Sequence, residues 1–347
     1  MKKIVKQVLG IDVARKELVV CLARMHDDWT SELISHRTFI NSEKGFEAMI
    51  LWVKKLTIES IPVRYVMEAT GVYHESLAYF LEEKGHAVSV VLPNKINSYF
   101  KSLDVKTVTD KTASDAIAQF GLERNLDNWR RPKEIFRDLK QLTRERDQTV
   151  DERTVAKNQL HAEETQAYPN KKSVSRIKAR IKLLNKQIME IKEEISALVK
   201  GEKDVSKSVD RICSIPGVGL LTAATVLGET NGFELIRNKR QLTSYAGFDV
   251  QEKQSGTSVK GKPRISKKGN KHLRKAMHLP ALSAIRHEER FKAVFVRLVS
   301  KHGVKMKAAV AVQRKLLEMI YTIYKTNTLF DKEYLTKHND LKQKEAA

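Results

Sequence analysis

The chain has 347 residues, of which 64 are Lys or Arg and 42 are Asp or Glu, giving a formal net charge of +22. A basic excess of that size calls for a polyanionic partner, with nucleic acid the default and an anionic membrane surface the competitor. No apolar run reaches spanning length, and the apolar stretch of MKKIVKQVLGID stops at Asp12, too early for a signal peptide, so the expectation is a soluble, intracellular protein. The two cysteines, Cys21 and Cys213, lie far apart in apolar surroundings and indicate neither a disulfide framework nor a zinc site. The ten histidines show no metal-ligand spacing.

From residue 1 to about 130 short β-rich runs (LVVCLAR, RYVMEA, AVSVVLP) alternate with helical ones (GFEAMILWVKKL, HESLAYFLEEKG), which predicts one α/β domain. Gly85 stands where the second helix needs a C-cap. Carboxylates fall at the ends of these runs: QVLGIDV reaches Asp12, VRYVME reaches Glu68, and Asp110 and Asp115 open the helix TDKTASDAIAQF. Each acid alone reads equally as a cap or turn residue. As an ordered set on element ends, they are how a chain assembles an oxygen-lined pocket for a divalent cation such as Mg²⁺.

Residues 131–204 lack glycine until Gly201 and predict a helical hairpin arm, broken at AYPNKKS by Pro169. In its second helix Val174, Ile177, Ile181, Leu184, Ile188, Ile191, Ile195 and Leu198 recur at spacings of three and four, a coiled-coil seam over a helix on the order of 37 Å long. Such an arm serves as a spacer, as a dimer contact or as a grip on nucleic acid through its outer Lys and Arg. Residues 205–332 predict a mainly α domain. In it ICSIPGVGLLTAATVLGE reads as a helix-hairpin-helix whose turn, with Gly217 and Gly219, either presents N–H groups to a phosphate or simply connects two helices tightly. A basic and polar tail, 333–347, closes the chain.

The segment SGTSVKGKPRISKKGNKHLRK, residues 255–275, carries eight Lys or Arg and no acid. Gly256, Gly261, Pro263 and Gly269 keep its first part out of a helix, so Lys260, Lys262, Arg264, Lys267, Lys268 and Lys271 are set on an extended loop suited to a nucleic-acid backbone. Five phosphate contacts would give log K a salt slope of roughly −4 to −5.

The ordered set GIDVARKEL, MEATGVY, TDKTASDAIAQFG, SIPGVGLLTA, RQLTSYAGFDVQEKQSGTSVKG and ISKKGNKHLRKAMHLPA resembles the insertion-sequence 110 family of transposases, relatives of the Piv-type DNA invertases, over nearly the whole chain. The resemblance implies an RNase H/RuvC-like N-terminal domain with a DEDD tetrad, a coiled-coil linker and a C-terminal domain with a serine nucleophile. It further implies Mg²⁺ as cofactor, donor and target DNA and a structured noncoding bridge RNA as partners, and a homodimer or homotetramer in which acids of one subunit meet the serine of another. Asp12, Glu68 and Asp110 fall on the first three acids. The usual fourth acid lies three residues after the third, where this chain has Ala113; Asp115 is the nearest substitute. A five-residue step turns a helix by about 140° beyond a full turn, so Asp110 and Asp115 share one metal only if Asp110 precedes the helix. Ser255 takes the place of the nucleophile, with Ser258 the nearest alternative.

The expected activity is therefore DNA cutting and rejoining. Two rivals are a Holliday-junction nuclease, in which the acids hydrolyse DNA and Ser255 only binds phosphate, and a non-enzymatic nucleic-acid-binding protein whose acids are caps.

Overall fold

The structure, a computed structural model, describes residues 2–333 except Thr70, 104–106, Val108, Leu235, Lys253, 256–258 and Lys262; at 254–255 and 259–260 the backbone alone is described. The tail expected from residue 333 lies almost wholly outside the described residues. The chain divides into two compact units, Met1–Arg131 and Pro132–Ala347.

In the first unit the strands β1 (Ile4–Val13), β2 (Glu17–His26), β3 (Ser31–Ile40), β4 (Val63–Glu68) and β5 (Ala87–Val91) alternate with helices from the third strand onward: α1 (Glu43–Leu56), α2 (Glu75–Glu83), α3 (Pro93–Phe100) and α4 (Asp110–Glu123). They make one mixed sheet of order β3-β2-β1-β4-β5. The first three strands are an antiparallel meander, and β4 and β5 add to it in parallel. Helices cover both faces, which is why the middle of β1, VLGI, reads as continuously apolar.

The period of two still sorts its residues. Leu9, Ile11 and Val13 pack with Phe46, Met49 and Val53 of α1 and Leu77 and Leu81 of α2. Val8 faces the other way, into a core with Ala116, Ala118 and Phe120 of α4 and Ile96 and Tyr99 of α3. Gly10 and Asp12 share the α4 face with Val8. On β4 the same alternation puts Tyr65 and Met67 with α1 and α2, and Val66 with α4, so Glu68 follows Val66 onto the α4 face.

The approach of α4 to β1 is a close backbone-to-backbone contact. A Cβ on Gly10 would lie 2.3 Å from the amide nitrogen of Ala118 and 2.4 Å from the carbonyl oxygen of Ser114; one on Gly121 would lie 2.7 Å from Val8. Buried Ser114 satisfies its hydroxyl within the helix by donating to the Lys111 carbonyl at 2.7 Å. The helix begins in a capping box: the Thr109 side chain accepts from the Thr112 N–H and Thr112 Oγ1 accepts from the Thr109 N–H.

In the second unit α5 (Glu134–Glu164) and α6 (Lys171–Gly201), 31 residues each, pack on one another. Along α6 the apolar stripe is fully buried at Leu184, Ile188, Ile191 and Ile195 and half-buried at Val174, Ile177 and Ile181. The stripe finds its partner helix within the same chain. The bases of both helices join a single core with the helices that follow: α7 (Lys203–Cys213), α8 (Leu220–Thr230), α9 (Lys239–Ala246), α10 (Lys271–Ala276), α11 (His278–His287), α12 (Glu289–His302) and α13 (Lys305–Thr326). The hairpin and the C-terminal helices, expected as separate domains, thus share Ile135, Phe136, Leu139, Ile191, Ile195 and Val199 as common core. Between α9 and α10 run two short antiparallel ladders, Val250–Gln251 (β6) with Arg264–Ile265 (β9), and Gln254–Ser255 (β7) with Val259–Lys260 (β8). Among the described residues no helix is long and apolar enough to cross a membrane.

A methyl group at residue 10 must push two backbones apart. Gly10→Ala should cost about 1–3 kcal/mol of stability in urea denaturation followed by circular dichroism. Gly201→Ala, with open space around its Cβ, should be neutral or stabilising by up to about 1 kcal/mol. Equal losses at both positions would contradict the close approach.

Candidate active site and nucleic-acid interface

The β1–β4 ladder runs parallel, and its last pair, Ile11 with Met67, leaves Asp12 and Glu68 level on neighbouring strand ends and on the same face. Asp110 joins them from the first turn of α4. The three carboxylates feel one another. Burial first, then the charges of Asp110 and Glu68, push the Asp12 carboxyl up from its ordinary 3.8 to about 6, against the pull of the Val13 N–H. Oxygen donors alone are what a hard divalent cation takes, but among the described residues the ligand atoms of these three do not all lie within 4.8 Å of one another.

Asp115 is not among the groups acting on Asp12. Its Oδ1 meets His36 Nε2, and, after burial, its nearness pushes the Cys21 thiol up. The physical reason is the start of the helix. Asp110 is the first residue of α4 rather than preceding it, so the five-residue step carries Asp115 about 140° round the axis, over β2 and β3. The structure sets Glu68 and Asp110 within electrostatic reach of Asp12 and directs Asp115 elsewhere.

Ser255 closes β7, opposite Val259, at the mouth of a hairpin. Ser258 and Lys262 lie outside the described residues, and Lys260 is described by its backbone in β8 alone. Arg264, Lys267, Lys268 and Lys271 are all exposed, the first in β9 and the last opening α10. The extended basic loop of the sequence is thus a pair of short ladders.

At the connection from α7 to α8, Gly217 has φ +88°, and a Cβ there would lie 2.6 Å from the Pro280 carbonyl and 2.9 Å from the Ala284 amide nitrogen of α11. Its glycine is demanded by left-handed backbone and by packing. Gly219, the N-cap of α8, has open space around it and leaves the first N–H groups of that helix without a side-chain cap.

A buried group missed in the sequence fixes the far end of the basic segment. Glu229 of α8, its side chain 0% exposed, takes both oxygens to Arg144 of α5, at 2.6 and 2.9 Å. It also accepts from Asn270 Nδ2 at 2.6 Å. Asn270 in turn caps α10, its Oδ1 accepting from the His272 and Leu273 N–H groups, and its own N–H donates to the Tyr245 carbonyl. Burial alone would raise the Glu229 carboxyl, but the bonds from Arg144 and Asn270 outweigh it and hold it below the usual range. A single acid ending the apolar run LLTAATVLGE was the one available signal.

Two family models match the chain, one described as "Transposase" over residues 9–169 and one as "Transposase IS116/IS110/IS902 family" over residues 209–295. The chain belongs to the IS110 family of transposases. Among curated relatives of this IS110-family chain, the pilin gene-inverting protein of Moraxella bovis is 27% identical over 328 residues, covering 94% of this chain and 98% of that protein. The transposase for insertion sequence element IS1111A of Coxiella burnetii is 24% identical over 356 residues, covering 91% and 89%. A solved structure of T. thermophilus RuvC in complex with a Holliday junction substrate is 12% identical, covering 35% of this chain and 99% of that one with a TM-score of 0.27, too low to carry an argument.

Two outcomes check the site. Because Asp12 keeps its proton up to about 6 in the folded state, it binds more protons folded than unfolded, and its contribution to stability falls as pH rises from about 4 to about 6. In chelator, Asp12→Asn should therefore melt higher than the parent above pH 6, with the two converging near pH 4; a constant gap would contradict the raised carboxyl. For the buried pair, Arg144→Leu strands a charge in the core and should cost about 3–5 kcal/mol. Glu229→Gln leaves Arg144, 43% exposed, free to hydrate and should cost less. Equal losses in urea denaturation would contradict this asymmetry.

Proposed function

We propose that this chain is a DNA transposase and recombinase whose N-terminal unit is RNase H/RuvC-like and which cuts and rejoins strands through Ser255. The single observation that carries the reading is that the charges of Asp110 and Glu68 act on Asp12, at the ends of α4, β4 and β1, in a chain matched in both halves by models of one transposase family. The strand order, three antiparallel strands with two added in parallel, supports the assignment of the first unit. A divalent cation, Mg²⁺ in our reading, would be held by the three carboxylates and would stabilise negative charge developing on phosphate oxygens.

The serine does the covalent work. Ser255 Oγ attacks phosphorus, its proton is lost, and one sugar oxygen departs with the bonding electrons and takes up a proton. The phosphoserine link conserves the bond energy, so a second sugar hydroxyl can displace the serine and reseal the strand. A serine hydroxyl is weakly nucleophilic without an activating group, which is why the proposal includes acids of one subunit serving the serine of another in a homodimer or homotetramer. Exposed Arg264, Lys267, Lys268 and Lys271 supply backbone charge for donor and target DNA, and we assign a structured bridge RNA as the guide. We read α5 and α6 as a coiled-coil linker and α7–α8 as a helix-hairpin-helix, with Gly219 on its open side.

Strand-transfer assays separate this from a nuclease, which leaves nicks, and from a binding protein, which does neither. Ser255→Ala should abolish covalent protein–DNA adducts and recombination while binding DNA as the parent does. Asp12→Ala, Glu68→Ala and Asp110→Ala should each lower activity by at least about a hundredfold, about 2.7 kcal/mol, and Asp115→Ala should not. A mixture of Asp12→Ala and Ser255→Ala proteins should regain activity. Undiminished recombination by Ser255→Ala would overturn the serine assignment.

A further inference from the structure

Cys21, His36 and Asp115 come from three different elements, β2, β3 and α4. Cys21 and His36 are direct partners in the antiparallel β2–β3 ladder. Cys21 belongs to the α4-side core, and Asp115 reaches down onto that pair from the helix. One ligand atom from each, a sulfur, an imidazole nitrogen and a carboxylate oxygen, lies within 4.8 Å of the other two.

Bond lengths of about 2.0–2.3 Å to a tetrahedral zinc ion place its ligands about 3.3–3.8 Å apart, so these three atoms stand within small shifts of a coordination triangle. The donor set is borderline-soft, where the pocket of Asp12, Glu68 and Asp110 is oxygen alone; the two groups select different classes of cation. Access is one-sided. Cys21 is completely buried, whereas the side chains of His36 and Asp115 are 26% and 22% exposed, leaving room for an ion to enter and for water as a fourth ligand.

We propose that Cys21, His36 and Asp115 form a binding site for a divalent ion of the zinc class that ties β2, β3 and α4 together. The thiol carries its proton and donates weakly to the Leu22 carbonyl at 3.9 Å. On binding, that proton leaves to solvent, the sulfur–metal bond takes its place, and His36 coordinates as neutral imidazole through Nε2. The site is structural in character, and its presence does not depend on the recombination chemistry.

The test uses the metal-free full-length protein and Co²⁺ as the probe, because thiolate-to-cobalt absorption in the near ultraviolet reports sulfur ligation and is blind to an all-oxygen site. The parent should develop that band to one equivalent and lose it to Zn²⁺, and Asp12→Asn should behave like the parent. Cys21→Ser should lose the band. Asp115→Asn should weaken Co²⁺ binding by at least about tenfold, the loss that even outer partners of a ligand cause. The only other cysteine is Cys213, so a band that survives Cys21→Ser overturns the proposal, as does a parent with no band. Should Cys21→Ser fail to fold, the partly exposed His36→Gln variant decides: retention of the full band and affinity overturns the site.

Discussion

The contact on which the first unit depends is the backbone-to-backbone approach of α4 to β1. With Gly10 under the backbone of Ser114 and Ala118, and Gly121 over the Val8 and Val66 side chains, the helix lies too close to the strand for a side chain at residue 10. Closeness of this kind fixes rotation as well as distance. Once residues 114 and 118 face the strand, helical geometry leaves residue 110 at the end of the strand where Asp12 sits and sends residue 115 sideways across the sheet. One packing constraint thereby decides which carboxylates meet and which do not.

The consequence is electrostatic. Folding places Glu68 and Asp110 where their charges raise the proton affinity of Asp12, at the carboxyl ends of two parallel strands, where open α/β sheets hold their ligands. Nothing in the core requires this. Leu9, Ile11, Tyr65 and Met67 already supply the apolar face that joins sheet to helices. Like charges held beside a partly buried carboxyl while the apolar packing is complete around them cost stability.

How far the sequence could be read follows from the range of the interactions involved. Asp12 and Glu68 were legible because a strand writes its end and its two faces into local alternation, and Asp110 because a helix start has local chemistry. The angular argument about Asp115 was available too, but its answer turned on whether Asp110 lay inside the helix, which the Thr109–Thr112 capping box decides. Cys21 and His36 were out of reach: only the β2–β3 register makes neighbours of them, so a search for ligand spacing along the chain dismissed both. Gly217 shows the same limit. A phosphate-cradling turn and a tight connection share one motif, and the α11 backbone against it is a long-range fact. The two long helices were read correctly as helices from periodicity, whereas the burial of their bases in the C-terminal core reflects partners supplied by α7, α8 and α13.

Glu229 and Asp12 show how a buried acid can be told apart by its company. Glu229 is the more deeply buried, yet Arg144 and Asn270 satisfy both its oxygens and its carboxyl is held ionised. Asp12 is only half-buried and surrounded by its own kind, and its carboxyl is driven toward the neutral form. The first arrangement spends charge on order: through Asn270 it pins the start of α10 and the end of the basic segment to α5 and α8, so that Lys268 and Lys271 project from a fixed base. The second sets like charges against Asp12, with the Val13 N–H opposing them only in part. A helix that must pass within backbone contact of a strand has little freedom to relieve that repulsion, and the rigidity of the Gly10 contact therefore keeps the three carboxylates assembled at a cost that a bound cation would offset.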